Sequence, residues 1–302
     1  MTERVRVATR RSRLARVQTE LILTRLTRAE PTWSFVPVPI DTSGDRDTSP
    51  GDSPDFTDAI DHALREGEVD LAVHSAKDLP AELDAAFELV ACPRRADPRD
   101  CLVVAPDTIA YPLPHGARVG SSSLRRRAQL LRWRPDLDVV DIRGNVDTRI
   151  GLLGERGLDA VILAVAGIHR LRRAKEITRI LPTSTFLPAP AQGALAVLAR
   201  ADDTPVVSAV RRINHPATFQ CISAERSFAA ALGGDCRVPL GALATHSMRT
   251  VSLVGEVLNP AGQRHLRRRR VGPASEGKNL GSNLGKDMLK EGALELLGAP
   301  RR

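Results

Sequence analysis

Two short stretches concentrate cations where a strand gives way to a helix. Gly120-Ser121-Ser122-Ser123-Leu124-Arg125-Arg126-Arg127 follows Arg118-Val119, and Arg143-Gly144-Asn145-Val146-Asp147-Thr148-Arg149 follows Val139-Val140-Asp141-Ile142. A guanidinium is permanently charged, and its planar fork matches the oxygens of carboxylates and phosphates. Strand ends are where open α/β sheets bind ligands. An earlier junction, His74-Ser75-Ala76-Lys77-Asp78-Leu79-Pro80, adds a lysine beside a lone carboxylate. These residues describe a site for a polyanion, with Asp78 placed to shuttle a proton or stabilise a developing positive charge.

Each stretch also has a plainer reading. Ser123 can cap the helix that follows, and Asn145 the next one, after a glycine that permits close backbone approach. Three consecutive arginines diverge by roughly 100° per residue on a helix, so one or two of Arg125, Arg126 and Arg127 can face a ligand. Lys77-Asp78 as a surface ion pair would add only ~0–1 kcal/mol. Cys236 lies in Leu232-Gly233-Gly234-Asp235-Cys236-Arg237-Val238-Pro239, where a loop thiolate could serve as nucleophile or attachment point. Cys92, Cys101 and Cys221 read as small buried groups. Arg267 to Arg270 form a basic run without interleaved aromatics, which reads as a solvated face rather than a nucleic-acid contact.

The elements that must position these residues alternate along the first two-thirds of the chain. Val5 to Ala8 is a strand. Ser12 then caps a helix with Leu14, Val17, Leu21 and Leu26 expected on its apolar face. Phe35 to Ile40 is an edge strand, because Pro37 and Pro39 interrupt it. A helix at Phe56 to Leu64 leads to a strand at Val69 to Val73. Further strands are expected at Leu102 to Val104, Arg118 to Gly120, Val139 to Ile142 and Asp159 to Ala164, with helices at Leu124 to Trp133 and Val146 to Leu153. This βα alternation predicts mostly parallel sheets. Leu187 to Gly193 reads as a rigid crossing. Beyond residue 212 the pattern becomes α+β: a helix over Ala217 to Leu232, strands at Gly241 to Ala244 and Val251 to Leu258, the basic strand, and a helix from Leu284 to Leu297.

Composition narrows the function classes. The 302 residues suffice for two or three domains, and the net charge of +8 favours anionic partners. Aromatics at 3% are too few for a base-stacking surface. The cysteines show no metal-ligand spacing, and neither a signal-peptide core nor a membrane-length apolar run is present. A cytoplasmic protein without metal, membrane or nucleic-acid partner is expected.

Taken together, the segments resemble the porphobilinogen deaminase (hydroxymethylbilane synthase) family. The likeness runs in order through Ala8 to Ser12, His74 to Pro80, Asp97 to Asp100, Gly120 to Arg126, Arg143 to Arg149, Leu163 to Leu171, Leu187 to Ala194, Ala224-Glu225-Arg226 and Gly233 to Gly241. It implies two periplasmic-binding-protein-like α/β domains, residues 1–93 with 191–211 and 94–190, plus a small C-terminal α+β domain, 212–302. It also implies a monomer of tetrapyrrole (heme) biosynthesis that joins four porphobilinogen molecules into hydroxymethylbilane on a dipyrromethane cofactor. That cofactor would be held by a thioether to Cys236. Asp78 matches the family's catalytic aspartate. Arg10, Ser12, Lys77, Arg125, Arg126, Arg143, Arg149 and Arg170 match positions that hold cofactor and substrate carboxylates. Ser75 and Ser123 belong to the same pocket, and Gln192 to a hinge.

One segment departs from the family pattern. Arg46 to Asp55 is shorter than the usual mobile loop, acidic, and lacks lysine. It motivates a second reading, a diverged paralogue that binds a pyrrole or other polyanion without efficient turnover. A nucleic-acid binder using Arg125 to Arg127 and Arg264 to Arg270 is a third.

Overall fold

Val5 and Val7 are buried while Arg4 is exposed and Arg6 half-buried, the period-two pattern of a strand, and β1 (Arg4–Arg10) forms there. The structure, a computed structural model, describes residues 3–42, 57–105, 111–153, 157–233 and 238–297. β1 lies inside a five-stranded sheet with β2 (Ser34–Ile40), β3 (Leu71–Ser75), β4 (Phe87–Ala91) and β10 (Leu195–Arg200), in the order β2-β1-β3-β10-β4. β1 pairs in parallel with β2 and β3, whereas β10 runs antiparallel to β3 and β4. The proline-bearing strand β2 is at the edge, as its missing N–H groups require.

A second five-stranded sheet has the order β7-β6-β8-β5-β9, built from β5 (Asp100–Val104), β6 (Arg118–Gly120), β7 (Asp138–Val140), β8 (Ala160–Ala164) and β9 (Arg179–Ile180). Only β6 with β7 and β8 is parallel; β5 opposes β8 and β9. Leu102 and Ile162 pack into one core while Cys101, Val103, Val161 and Leu163 pack into another, so both faces are covered. The sheets are therefore mixed rather than mostly parallel. In each, one antiparallel strand pairs with strands distant in the chain, β10 with β3 and β4 and β5 with β8 and β9, a long-range pairing that local alternation does not encode.

The C-terminal part is an antiparallel sheet of β11 (Leu240–Ser247), β12 (Thr250–Leu258) and β13 (His265–Pro273) with helices Gly277–Lys290 and Ala293–Leu296. The expected single helix over Leu284 to Leu297 is thus two, separated at Gly292, whose φ of 93° is left-handed. The first begins earlier than expected. Its Gly281 packs so tightly on helix Pro216–Ala231 that a Cβ there would lie 2.0 Å from the Ala224 carbonyl oxygen. Chain contacts divide the protein into two compact units, Met1–Ala96 with Ala194–Phe219, and Asp97–Gly193 with Gln220–Arg302. Among the described residues no helix is long and apolar enough to cross a membrane.

Candidate active site

In the first unit the predicted residues cluster at the C-terminal ends of β1 and β3. Arg10 ends β1, and Ser12 caps helix Arg13–Ala29, its hydroxyl accepting from the Ala15 N–H at 3.3 Å. The buried face of that helix is Ala15, Gln18, Thr19, Ile22 and Leu26 rather than the Leu14, Val17, Leu21 stripe, and Leu21 is exposed. Two of those buried residues are polar because each finds a partner: Thr19 donates to the Thr9 hydroxyl at 2.7 Å, and the Gln18 amide to Ser75 Oγ at 2.9 Å. Ser75 is thereby anchored at the end of β3. One turn of 3-10 helix, Ala76–Asp78, follows and leaves Lys77 and Asp78 half-buried. The Asp78 carboxylate makes no hydrogen bond or ion pair with any described residue. His74, on β3, is buried with Nε2 unpartnered. Burial and the nearby Arg10 charge push its pKa down to about 4, so it is neutral.

In the second unit Ser123 caps helix Leu124–Trp133, its hydroxyl accepting from the Arg126 N–H at 3.4 Å. Arg125 and Arg126 both turn inward, 4% and 5% exposed, while Arg127 is exposed. Their guanidiniums converge on one fully buried carboxylate, Asp100 of β5. Arg125 Nη1 donates to Oδ2 at 2.8 Å, and Arg126 Nη2 and Nε to Oδ1 at 2.8 and 3.1 Å. Gln192 Nε2 adds a fourth bond to Oδ1 at 2.9 Å. Burial alone would raise the Asp100 pKa, but the two cations hold it well below the usual carboxylate range. Arg125 also donates to the Leu187 carbonyl at 2.7 Å, and its Nε is buried without a hydrogen-bond partner. Much of the donor capacity of these two arginines is therefore already committed inside the protein.

Arg143, Arg149 and Arg170 stand differently. Gly144 adopts φ 99°, and Asn145 Oδ1 then accepts from the Thr148 N–H at 3.0 Å to start helix Val146–Gly151, as its sequence predicts. Arg149 Nε donates back to the Gly144 carbonyl at 2.7 Å. Arg143 meets Asp141 at 3.5 Å, and its Nε is buried without a hydrogen bond. Arg170, at the end of helix Val165–Arg170, makes a single side-chain hydrogen bond among the described residues, to the Gly193 carbonyl at 2.7 Å. No acid pairs with it there, and burial pushes its pKa down to about 10, still charged at neutral pH. Cys236, with Asp235 and Arg237, lies outside the described residues, as does Arg46 to Asp55.

The basic strand is largely neutralised from within. Arg268 pairs with Glu291, Arg270 with Asp287 at 2.5 Å, and Arg267 donates to the Ser184 and Thr183 carbonyls. Such charges also guard a sheet edge against stray pairing. Sequence reasoning assigned no role to three acids that the fold buries: Asp100 and Glu225, which lie in segments it singled out, and Glu256, which it passed over. Glu256 accepts from Gln129 at 3.1 Å and Arg132 at 3.4 Å, tying β12 to helix Leu124–Trp133. A charged residue inside an otherwise apolar strand, as in Val254-Gly255-Glu256-Val257-Leu258, was the available signal.

The chain is similar to known proteins over nearly its whole length. The family model "Porphobilinogen deaminase, dipyromethane cofactor binding domain" matches residues 5–208, and "Porphobilinogen deaminase, C-terminal domain" matches residues 219–290. Proteins named porphobilinogen deaminase from Roseiflexus castenholzii and Thermus thermophilus are 45% and 41% identical. Both alignments cover 98% of this chain, and 99% and 98% of the respective relatives. Among solved structures, the periplasmic VFT2 domain of Bordetella pertussis BvgS aligns with 70% of this chain and 86% of its own at 17% identity. Its TM-score is 0.44, too low to bear on the fold, which rests on the strand orders above. Two family models matched in order, and relatives alike from end to end, make this chain a member of the porphobilinogen deaminase family.

Proposed function

We propose that this protein condenses four porphobilinogen molecules, with release of ammonia, into the linear tetrapyrrole hydroxymethylbilane on a covalently held dipyrromethane. The observation that carries this reading is Arg170: a desolvated cation, without an acidic partner among the described residues, inside the region matched by the cofactor-binding model. Arg170 is half-buried, and a cation partly withdrawn from water without a counter-charge is costly unless a ligand completes it. Porphobilinogen carries two carboxylates, so a dipyrromethane is a polyanion and the donor set fits it. The buried Nε of Arg125, which has no hydrogen-bond partner, supports the same fit.

In this reading Arg10, Lys77, Arg125, Arg126, Arg143, Arg149 and Arg170 hold pyrrole carboxylates. Ser12, Ser75 and Ser123 add hydroxyls to the same carboxylate-binding set, and each charge-assisted hydrogen bond contributes ~1.5–3 kcal/mol. The dipyrromethane supplies the free pyrrole α-carbon to which incoming units are joined, and Cys236 is its attachment point. Asp78 is the one acid among these positions and has no competing partner among the described residues. Its carboxylate offsets the positive charge that develops as the carbon–nitrogen bond to the departing ammonia breaks, and it takes up the proton each condensation releases. Gln192, bonded to Asp100 and next to the unit boundary at Gly193, is assigned to the hinge.

The three sheets support a division into residues 1–93 with 191–211, 94–190 and 212–302 as three domains. A cytoplasmic monomer without a nucleic-acid partner completes the proposal; the internal pairing of Arg267, Arg268 and Arg270 supports the last part. The test is the intact mass of the purified protein before and after incubation with porphobilinogen. An excess of two linked pyrrole units that lengthens on adding substrate is expected, and Cys236→Ser should abolish it. A mass that porphobilinogen never changes would refute turnover and leave the reading of a silent paralogue.

A further inference from the structure

We propose that Glu225 is a positioning residue for anion binding, acting through the left-handed backbone of Ala191; this rests on the function proposed above. Glu225, on helix Pro216–Ala231, is fully buried and accepts two backbone N–H bonds. Ala191 donates to Oε2 at 2.6 Å, and Ala244 of β11 to Oε1 at 2.7 Å. Ala191 has φ 63°, a region that a residue with a Cβ avoids. A bond from its N–H to a buried carboxylate is charge-assisted and offsets that strain.

The next two residues turn this local strain into the orientation of two cations. Gln192 is buried: its Nε2 donates to Asp100 Oδ1 and to the Pro98 carbonyl at 2.7 Å, and its Oε1 accepts from Arg126 Nη2 at 3.4 Å. The Gly193 carbonyl accepts from Arg170 Nη2, the one side-chain hydrogen bond Arg170 makes among the described residues. A relaxed Ala191 would rotate the following peptides, withdraw the Gly193 carbonyl and release the direction in which Arg170 points. The carboxylate of the C-terminal segment thus aims an arginine of the second sheet's domain. This gives the Ala224-Glu225-Arg226 segment a role that the reaction itself does not assign.

The test pairs Glu225→Gln with Ala191→Gly. The amide keeps the shape of the side chain but loses its charge and turns a donor toward one of the two N–H groups. KM for porphobilinogen should rise about tenfold, the loss of one charge-assisted hydrogen bond, with kcat within about twofold. The fraction of apoprotein acquiring the primer mass on incubation with porphobilinogen should fall in parallel. Glycine at 191 holds φ 63° unaided, so adding Ala191→Gly should recover about threefold or more of the lost KM. An unchanged KM in Glu225→Gln overturns the proposal. So does a KM rise that Ala191→Gly leaves untouched, since Glu225 would then act through its contacts other than Ala191. If Glu225→Gln does not fold, Glu225→Asp, one methylene too short to keep both bonds, carries the same two measurements. A native protein that neither gains primer mass nor turns over substrate overturns the function itself, and is distinguished by that.

Discussion

Replacing Asp100 by asparagine removes one charge and leaves two buried guanidiniums facing an amide. Asp100 is 0% exposed and Arg125 and Arg126 are 4% and 5% exposed, so water screens none of the three. Removing one partner of a buried ion pair costs ~3–5 kcal/mol, because the remaining charge keeps its desolvation penalty. For a compact unit of this size that corresponds to a fall of roughly 10 °C in Tm. The assay is thermal unfolding of Asp100→Asn beside the native protein. Asp84→Asn is the contrast: its bond to Arg65 joins side chains 51% and 45% exposed, so no comparable shift is expected. Acid unfolding gives an independent sign. Because the folded pKa of Asp100 is depressed, its stabilisation is present above the unfolded value of about 3.9 and is lost as pH falls below it. Asp100→Asn should therefore flatten the acid limb. A Tm shift under about 2 °C, with the acid limb unchanged, would refute the buried-hub argument.

Asp78→Ala should leave Tm unchanged, since that carboxylate has no partner among the described residues, while turnover falls by about a hundredfold or more; near-normal turnover would remove Asp78 from the mechanism. Arg170→Leu should raise KM for porphobilinogen at least about tenfold with Arg170→Lys intermediate, because lysine keeps the charge without the fork; equal KM values for leucine and native protein would show that no carboxylate reaches this position. His74 has its folded pKa lowered to about 4, so the unfolded chain binds the extra proton between that value and about 6.5, and its contribution to stability rises with pH across this window. His74→Gln should remove ~3 kcal/mol of that pH dependence in urea titrations, and an unaltered slope would mean that His74 titrates normally.

Much of the local framework was legible in the chain. Helix Leu124–Trp133 and the caps at Ser12, Ser123 and Asn145 occur where periodicity and side-chain chemistry put them, because a cap and the helix it starts are separated by three residues at most. The edge position of β2 followed from its prolines. The face of the first helix was read only in part: Leu26 is buried as expected, but the stripe otherwise runs through Gln18 and Thr19, whose partners lie elsewhere in the chain. β10 could not be placed between β3 and β4 from its own residues, since antiparallel pairing to a distant strand leaves no local mark.

By itself the sequence determined that this protein concentrates arginines at strand ends, that Asp78 stands among cations, and that a polyanion is the ligand such a set demands. Which arginines are already engaged, only the tertiary structure decided. Arg125 and Arg126 are bound to Asp100, an acid about 25 residues away that the packing of β5 brings beneath their helix. Arg170 has a backbone carbonyl and no acid among the described residues. The charge on a guanidinium is a property of the residue alone, but its availability depends on what the fold buries beside it. In water those pairings are worth little, and only removal from solvent makes each of them decisive.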